Sequence, residues 1–344
     1  MKVFVKTFGC AYNKRDSENI KGILKSSDYE LVDSSEESDI IIVNSCGVKS
    51  QTQSKIQVYI ESQDKPVYLG GCLPKMLDLT HVKNVKGVFD TNSITRLPEQ
   101  ISKGIKENFS NEKENRLNIP IIRDKEETLI VPISQGCVGN CHYCSTKFAR
   151  GTLKSYPIED ILTEIKNNKA SLVHLTSQDN GCYGFDINTN LIELLRRVLE
   201  LEGFKIKIGM MNPQHVLKFL PELIEIYKNE RVLKIVHIPL QSASNKILKE
   251  MNRFYTVEDF KKIVDEFRKE VPEIHILTDI IIGYPTETEE DFLETKELLE
   301  KLKLNVVNLS KYTARPKTYA TKNLKPLTSE EVKRRCLVLA EVIK

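Results

Sequence analysis

From Thr128 to the end of the chain, short apolar runs alternate six times with stretches of helical periodicity, and this alternation constrains the fold more than any other feature. The strand-like runs are Leu129–Ser134, Leu172–Ser177, Lys205–Met210, Lys234–Leu240, His275–Ile282 and Asn305–Lys311. Helical stretches fall between them at Ile158–Asn168, Leu191–Leu201, Val216–Lys228, Val257–Lys269 and Glu287–Leu302. Strands joined by crossover helices must run parallel, because such connections return the chain to the same end of a sheet. Six such units predict a partial (β/α)6 barrel, whose reactive face is built from loops at the strand C-termini. Thr286 with Glu289 and Thr256 with Asp259 read as capping boxes for the last two of these helices. Thr328 with Glu331 reads as another, ahead of a C-terminal helix over Glu330–Ile343.

The first hundred residues alternate as well, with strands at Val3–Gly9, Asp39–Asn44, Val67–Leu69 and Gly87–Phe89 and a helix over Ser17–Ser26. The expected fold class is therefore α/β: a small N-terminal open α/β sheet domain, followed by the partial barrel. The boundaries read as 1–110 for the first domain, 111–127 for a polar linker around Pro120, 128–325 for the barrel and 326–344 for the C-terminal helix.

Six of the eight cysteines fall into two groups of three. Cys137, Cys141 and Cys144 lie directly after the first barrel strand, spaced C-x3-C-x2-C. Cys10, Cys46 and Cys72 are scattered, but each ends an apolar strand-like run. In a parallel sheet the residues just beyond the strand ends gather on one edge, so these three can meet. A cubane [4Fe–4S] cluster takes four thiolates, so three leave one iron open. Structural zinc is the rival for Cys137, Cys141 and Cys144, but zinc favours paired C-x2-4-C units and no second pair is near. Buried free thiols are the rival for Cys10, Cys46 and Cys72. Cys182 and Cys336 read as packing residues, and His142 as a solvated loop histidine.

Composition excludes other classes. No stretch approaches the roughly 20 apolar residues that span a bilayer. Clustered cysteines in a chain that opens directly on a strand point to a reducing cytoplasm rather than a disulfide framework. The basic excess is only three charges, so bulk charge announces no nucleic-acid partner. Locally, Lys311–Lys325 carries Lys311, Arg315, Lys317, Lys322 and Lys325 with Tyr312 and Tyr319 and no acid, a composition suited to RNA or to a solvated loop.

The run Gln135–Gly151 after a strand at a barrel mouth resembles the radical S-adenosylmethionine (SAM) superfamily. A fuller resemblance, to the methylthiotransferase family, covers nearly the whole chain. It is carried by Gly9-Cys10-Ala11-Tyr12-Asn13, Asn44-Ser45-Cys46, Gly70-Gly71-Cys72-Leu73-Pro74, Gln178-Asp179-Asn180-Gly181-Cys182-Tyr183-Gly184, His237-Ile238-Pro239-Leu240-Gln241-Ser242 and Asp279–Thr288. Gly209-Met210-Met211-Asn212-Pro213 and Asn308-Leu309-Ser310-Lys311-Tyr312 look most like its archaeal and eukaryotic branch. That branch acts on N6-threonylcarbamoyladenosine at position 37 of tRNA.

The resemblance implies a radical-SAM enzyme with two [4Fe–4S] clusters and SAM as cofactors, making the 2-methylthio nucleoside. One cluster would sit on Cys10, Cys46 and Cys72, the other on Cys137, Cys141 and Cys144. By their place after the second, fourth and fifth barrel strands, Gln178, Asp179, Gln241, Ser242 and Gly283 are candidate SAM contacts, Gly283 admitting adenine close to its backbone, with Asn212 a weaker candidate and helix capping the rival role. The expected partners are the tRNA anticodon stem-loop and an electron donor protein, with no membrane, for a cytoplasmic monomer. The alternatives are the same chemistry on isopentenyladenosine or on a ribosomal-protein aspartate, and a non-catalytic Fe–S or zinc RNA-binding protein. The family's C-terminal RNA-binding β-barrel is expected to be absent from this sequence.

Overall fold

The computed structural model describes residues 1–47, 50–79 and 82–343. Contacts divide the chain into two compact units, Met1–Cys137 with Ser145–Thr176, and Val138–Cys144 with Ser177–Lys344.

The first unit opens with β1 (Lys2–Thr7), α1 (Ala11–Ser26), β2 (Glu30–Leu31), β3 (Ile40–Ser45), α2 (Ser50–Glu61), β4 (Val67–Gly71), β5 (Val85–Phe89), α3 (Leu97–Lys103) and β6 (Glu107–Asn108). The six strands form one parallel sheet in the order β2-β1-β3-β4-β5-β6. Period-two alternation along β3 divides the core. Ile40 and Ile42 pack with Val3, Ile20, Leu24 and Leu97 on the α1 and α3 face. Ile41 and Val43 pack with Ile56, Ile60 and Leu69 on the α2 face. A parallel sheet covered by helices on both faces reads as continuous apolar strands, as Ile40–Val43 does. Helix α2 is not among the elements expected from sequence, although Ile56 and Ile60 stand at helical spacing and are fully buried.

The same unit continues through β7 (Thr128–Pro132), β8 (Ser134–Gln135), α4 (Thr146–Arg150), β9 (Lys154–Ser155), α5 (Ile158–Asn167) and β10 (Leu172–Thr176). Strands β7 and β10 pair in parallel. Residues 111–127 have no regular structure but are not a loose tether. Ile122 N donates to Glu18 O at 3.0 Å, and the space beside Gly22 is taken by the Pro120 backbone. Two buried ion pairs tie α1 to the later elements of the unit: Arg15 to Glu164 on α5 at 2.6 Å, and Arg150 on α4 to Asp16 at 2.6 Å.

The second unit holds α6 (Leu191–Leu199), β11 (Lys205–Ile208), α7 (Pro213–Val216), α8 (Leu220–Lys228), β12 (Ile235–His237), α9 (Asn245–Glu250), α10 (Val257–Glu270), β13 (His275–Ile282), α11 (Glu289–Leu302), β14 (Val306–Lys311), α12 (Tyr319–Asn323) and α13 (Ser329–Val342). Strands β12, β13 and β14 form a parallel sheet. The six expected strands are all present, and the fold class is the expected α/β.

Three local expectations change. The helix expected over Val216–Lys228 starts only at Leu220, as α8, because Pro221 in its first turn cannot continue a preceding helix, and Val216 ends the separate α7. The capping box of α11 is Thr288 with Asp291, not Thr286 with Glu289. Glu287 is drawn inward, accepting from Gly283 N at 2.9 Å and from Arg335 at 2.7 Å, so the helix starts after it. Thr328 caps α13, but Glu331 holds Arg334 and Arg335 instead of closing the box. The Thr256 and Asp259 box forms as expected.

Glu164 is the partner that lets Arg15 lie fully buried. Glu164→Ala leaves that guanidinium uncompensated and should cost about 3–5 kcal/mol. The loss should show as a lower denaturant midpoint; an unchanged midpoint would mean the pair contributes nothing.

Candidate cysteine sites

Strands β1, β3 and β4 are neighbours, with Thr7 opposite Asn44 and Ser45 opposite Gly71. Cys46 and Cys72 are the next residues along β3 and β4, and Cys10 caps the N-terminus of α1 just past β1. The sheet therefore carries all three thiols to one edge. Backbone approach there is tight: a Cβ on Gly9, at φ +131°, would lie 3.0 Å from the Cys46 Cβ. Cys72 N donates to Ser45 O at 2.9 Å. Asn13 and Asn44 lock the strand ends, Asn13 Nδ2 donating to Ser45 O at 3.0 Å and Asn44 Nδ2 to Asn13 O at 2.7 Å. The Cys10 thiol donates to Asn13 Oδ1 at 3.4 Å.

Burial pushes the Cys72 thiol up to about 11; Arg150 opposes that rise, while Cys46 and Cys10 add to it. The Cys46 and Cys10 sulfurs are thus close enough to Cys72 to resist its ionisation. A soft cationic centre relieves both burial and repulsion, so the donor set fits an iron–sulfur cluster held by three thiolates. Arg150 is itself buried, lies over the Tyr12 ring at 4.4 Å and bonds Asp16 and Asn13.

The second group lies in the loop that follows β8. Gly136, at φ +87°, is forced by the Thr152 carbonyl, which occupies the place of a Cβ, and Cys137 N donates to Gly151 O at 3.4 Å. In the second unit, the segment after α9 cradles the rest of the loop. His142 N donates to Met251 O at 3.0 Å and Asn252 Nδ2 to Asn140 O at 2.9 Å. Arg253 Nη1 donates to Cys141 Sγ at 3.3 Å. Tyr143 packs on Ile247, Met251 and Tyr284. His142 is not the solvated residue expected: Nδ1 meets Glu250 O at 2.7 Å, and its ring stacks on Tyr319 at 4.0 Å.

The expected SAM contacts are unequal. Gln178 is half-buried at the end of the second barrel strand. Asp179 is buried and accepts from Gly181 N and Asn212 N at 3.0 Å and pairs with His215 Nδ1 at 2.9 Å, so it holds the loops together. Asn212 caps α7 and accepts from Arg253. Gln241 is buried in a left-handed conformation at φ +72°, and its Oε1 has no hydrogen-bond partner. Ser242 Oγ accepts from Ser244 N at 3.2 Å, within the turn. At Gly283, at φ +74°, the space that a Cβ would need is taken by Val332 of α13, 2.5 Å away. Cys182 is fully buried as expected, its thiol donating to Asp179 O, and Cys336 is half-buried.

Arg150 stands beside Cys72, Arg253 bonds Cys141 and Asn13 bonds Cys10, placements that no periodic signal in the sequence marks. His237 has no signal beyond its motif; it pairs with Asp279 at 2.9 Å, and Asn308 donates to the same carboxylate at 2.9 Å. In Lys311–Lys325, Lys311, Lys317, Tyr319, Lys322 and Lys325 are exposed, but Arg315 is 5% exposed and does not belong to that surface.

Residues 131–299 match the model of the Radical SAM superfamily, and residues 2–90 match Uncharacterized protein family UPF0004. A relative from Pyrococcus horikoshii, named a probable threonylcarbamoyladenosine tRNA methylthiotransferase, is 40% identical over 99% of this chain and 84% of its own length. The human threonylcarbamoyladenosine tRNA methylthiotransferase is 36% identical over 93% of this chain and 59% of its own. This chain belongs to the threonylcarbamoyladenosine tRNA methylthiotransferase family. Among solved structures, the radical SAM methyltransferase TsrM of Kitasatospora setae is similar with a TM-score of 0.66 at 14% identity, covering 93% of this chain and 77% of its own, a likeness of fold. No helix among the described residues is long and apolar enough to cross a membrane.

In the metal-free chain, exposed Cys10 should be alkylated well before buried Cys72 near pH 8. With its thiol raised to about 11, labelling of Cys72 should climb with pH towards that value, roughly tenfold per unit as the thiolate fraction grows. Peptide mass spectrometry reads the order; equal rates would contradict the burial described.

Proposed function

We propose that this chain is a radical-SAM enzyme converting N6-threonylcarbamoyladenosine of tRNA to its 2-methylthio derivative. The observation that carries the reading is the meeting of Cys10, Cys46 and Cys72 beyond three adjacent strands, in a chain with a second three-cysteine loop. In this reading Cys137, Cys141 and Cys144 hold one [4Fe–4S] cluster and Cys10, Cys46 and Cys72 the other. Bound there, the clusters would supply the electron that cleaves one SAM to a 5′-deoxyadenosyl radical and the sulfur that a second SAM methylates before its transfer. Asn13 and Asn44 hold the strand ends so that the three N-terminal thiols converge. The α9 cradle fixes the Cys141 loop, and Gln241 offers its unpartnered amide oxygen to a bound donor. The substrate is presented by the tRNA anticodon stem-loop, an electron donor protein reduces the clusters, and the enzyme acts as a cytoplasmic monomer.

Anaerobic reconstitution should give about eight irons per chain, the sum of two four-iron cubanes. Replacing Cys137, Cys141 and Cys144 by alanine should abolish 5′-deoxyadenosine formation. Replacing Cys10, Cys46 and Cys72 should leave that cleavage measurable and stop methylthiolation. Methylthiolated nucleoside from the second variant would overturn the reading. Mass spectrometry of tRNA nucleosides from a deletion strain reads the substrate: loss of a methylthiolated isopentenyladenosine instead, or of a modified ribosomal-protein aspartate, would move the chain to another branch.

The exposed Lys317, Lys322 and Lys325 with Tyr319 suit contact with RNA phosphates and bases. Changing the three lysines to glutamine should weaken tRNA binding and flatten its salt dependence by about one unit of slope for each phosphate no longer neutralised. Basal SAM cleavage should be unchanged. An unaltered salt slope would mean the stretch is a solvated loop.

A further inference from the structure

The loop that carries Cys141 is held by main-chain and amide bonds, by the His142 ring and by the packing of Tyr143, and a guanidinium reaches its sulfur. Arg253 Nη1 donates to Cys141 Sγ at 3.3 Å, within the range of a hydrogen bond to sulfur. The guanidinium is not swinging freely. Its Nε donates to Tyr255 Oη at 3.1 Å, and its Nη2 donates to Asn212 Oδ1 at 3.2 Å and approaches Pro239 O at 3.5 Å. Tyr255 is in turn fixed, donating to Leu240 O at 2.7 Å, and lies beneath the Arg253 guanidinium at 4.9 Å. Every edge of the guanidinium plane has a partner, and only one of these partners is a sulfur. Arg253 shows no carboxylate ion pair among the described residues, unlike Arg15, Arg150 and Arg335 in their own networks. A half-buried cation braced on three sides by neutral acceptors, with its remaining N–H on a thiol, is placed to act on that sulfur's charge.

We infer that Arg253 is a positioning residue that sets the reduction potential of the cluster held by the Cys137, Cys141 and Cys144 loop. The inference rests on the cluster reading proposed above. Reduction adds one negative charge to the cluster and its thiolates, and a fixed guanidinium at hydrogen-bonding distance stabilises that reduced form more than the oxidised one. The N–H to sulfur bond acts in the same direction, because it strengthens as electron density on the sulfur grows. The cost of one electron to the chain is thereby lowered at the cluster itself, whatever protein delivers it. Asn212 couples this device to Asp179: its backbone N–H donates to Asp179 Oδ1, and its side-chain oxygen receives Arg253.

The test uses the full-length chain with Cys10, Cys46 and Cys72 replaced by alanine, so that only the barrel cluster is present. Iron analysis comes first: about four irons per chain, one cubane, shows that the cluster reading holds, and a chain without iron defeats that reading rather than this one. EPR-monitored redox titration without SAM is then compared for Arg253, Arg253→Lys and Arg253→Gln. Arg253→Gln should move the midpoint to more negative potential with iron retained, and Arg253→Lys should fall between the two. Midpoints that coincide in all three chains would overturn the inference. A second measurement needs no variant at this position and so survives any folding defect. In the same chain grown on guanidino-15N arginine, pulsed EPR of the reduced cluster should show a 15N coupling, and its absence would overturn the proposed contact.

Discussion

A knot of buried charge beneath the N-terminal cysteines holds the first unit in one arrangement. Arg15, Arg116 and Arg150 are all essentially inaccessible, and their carboxylate partners are Glu164, Asp16 and Glu114. Three guanidiniums face three carboxylates, so the knot is neutral although its members are charged. Taking each ion from water costs several kcal/mol, which only good pairing offsets, so the network tolerates one geometry and few others. That selectivity has a consequence for chemistry. Arg150 is oriented by Asp16 and by Tyr12, and so brings its charge to the Cys72 thiol while Asn13 reaches Cys10. The thiol edge of the sheet and the buried knot are two sides of one construction.

The two cysteine groups are built by opposite means. Cys10, Cys46 and Cys72 are far apart in sequence and meet because β1, β3 and β4 are adjacent, parallel and end together. The sheet brings them together, and Asn13 then fixes the Cys10 thiol locally. Cys141 and Cys144 belong to a short loop without regular structure. It keeps its shape because Met251 and Asn252 supply partners for its backbone and Arg253 one for the Cys141 sulfur. The first site inherits the stability of a core. The second depends on a few polar contacts, and a change at one of them alters the geometry directly.

This difference explains what could be read from the sequence. The strands, most helices and both cysteine groups were legible, because apolar periodicity and cysteine placement are local patterns. The parallel register that converges the three distant thiols followed from the alternation of strand and helix. What the sequence concealed was pairing between residues far apart in the chain. Arg15 with Glu164 spans 149 positions and Arg253 with Cys141 spans 112, and neither end carries a mark of its partner. The break between α7 and α8 was available in Pro221, and the shift of the α11 cap was not, since it arises from Arg335 drawing Glu287 inward. Arg315 shows the same limit: its neighbours in a basic run are exposed, while packing buries it.

Polar residues just past strand ends are ambiguous for a physical reason. The chain turns there, backbone N–H groups lose their ladder partners, and nearby side-chain oxygens are the first acceptors available. Asp179 accepts two such N–H groups and a histidine, Ser242 accepts one, and Glu287 accepts one together with an arginine. Gln241 differs. Its backbone N–H and carbonyl bridge to β13, yet its φ of +72° is one that side-chain-bearing residues rarely adopt. Its buried Oε1 accepts nothing. An amide oxygen buried without a donor costs about 1–3 kcal/mol, and left-handed backbone adds a similar order of strain. Both costs fall on one residue. Asp179, Ser242 and Glu287 are thus satisfied within the chain past their strand ends, and the Gln241 Oε1 is not.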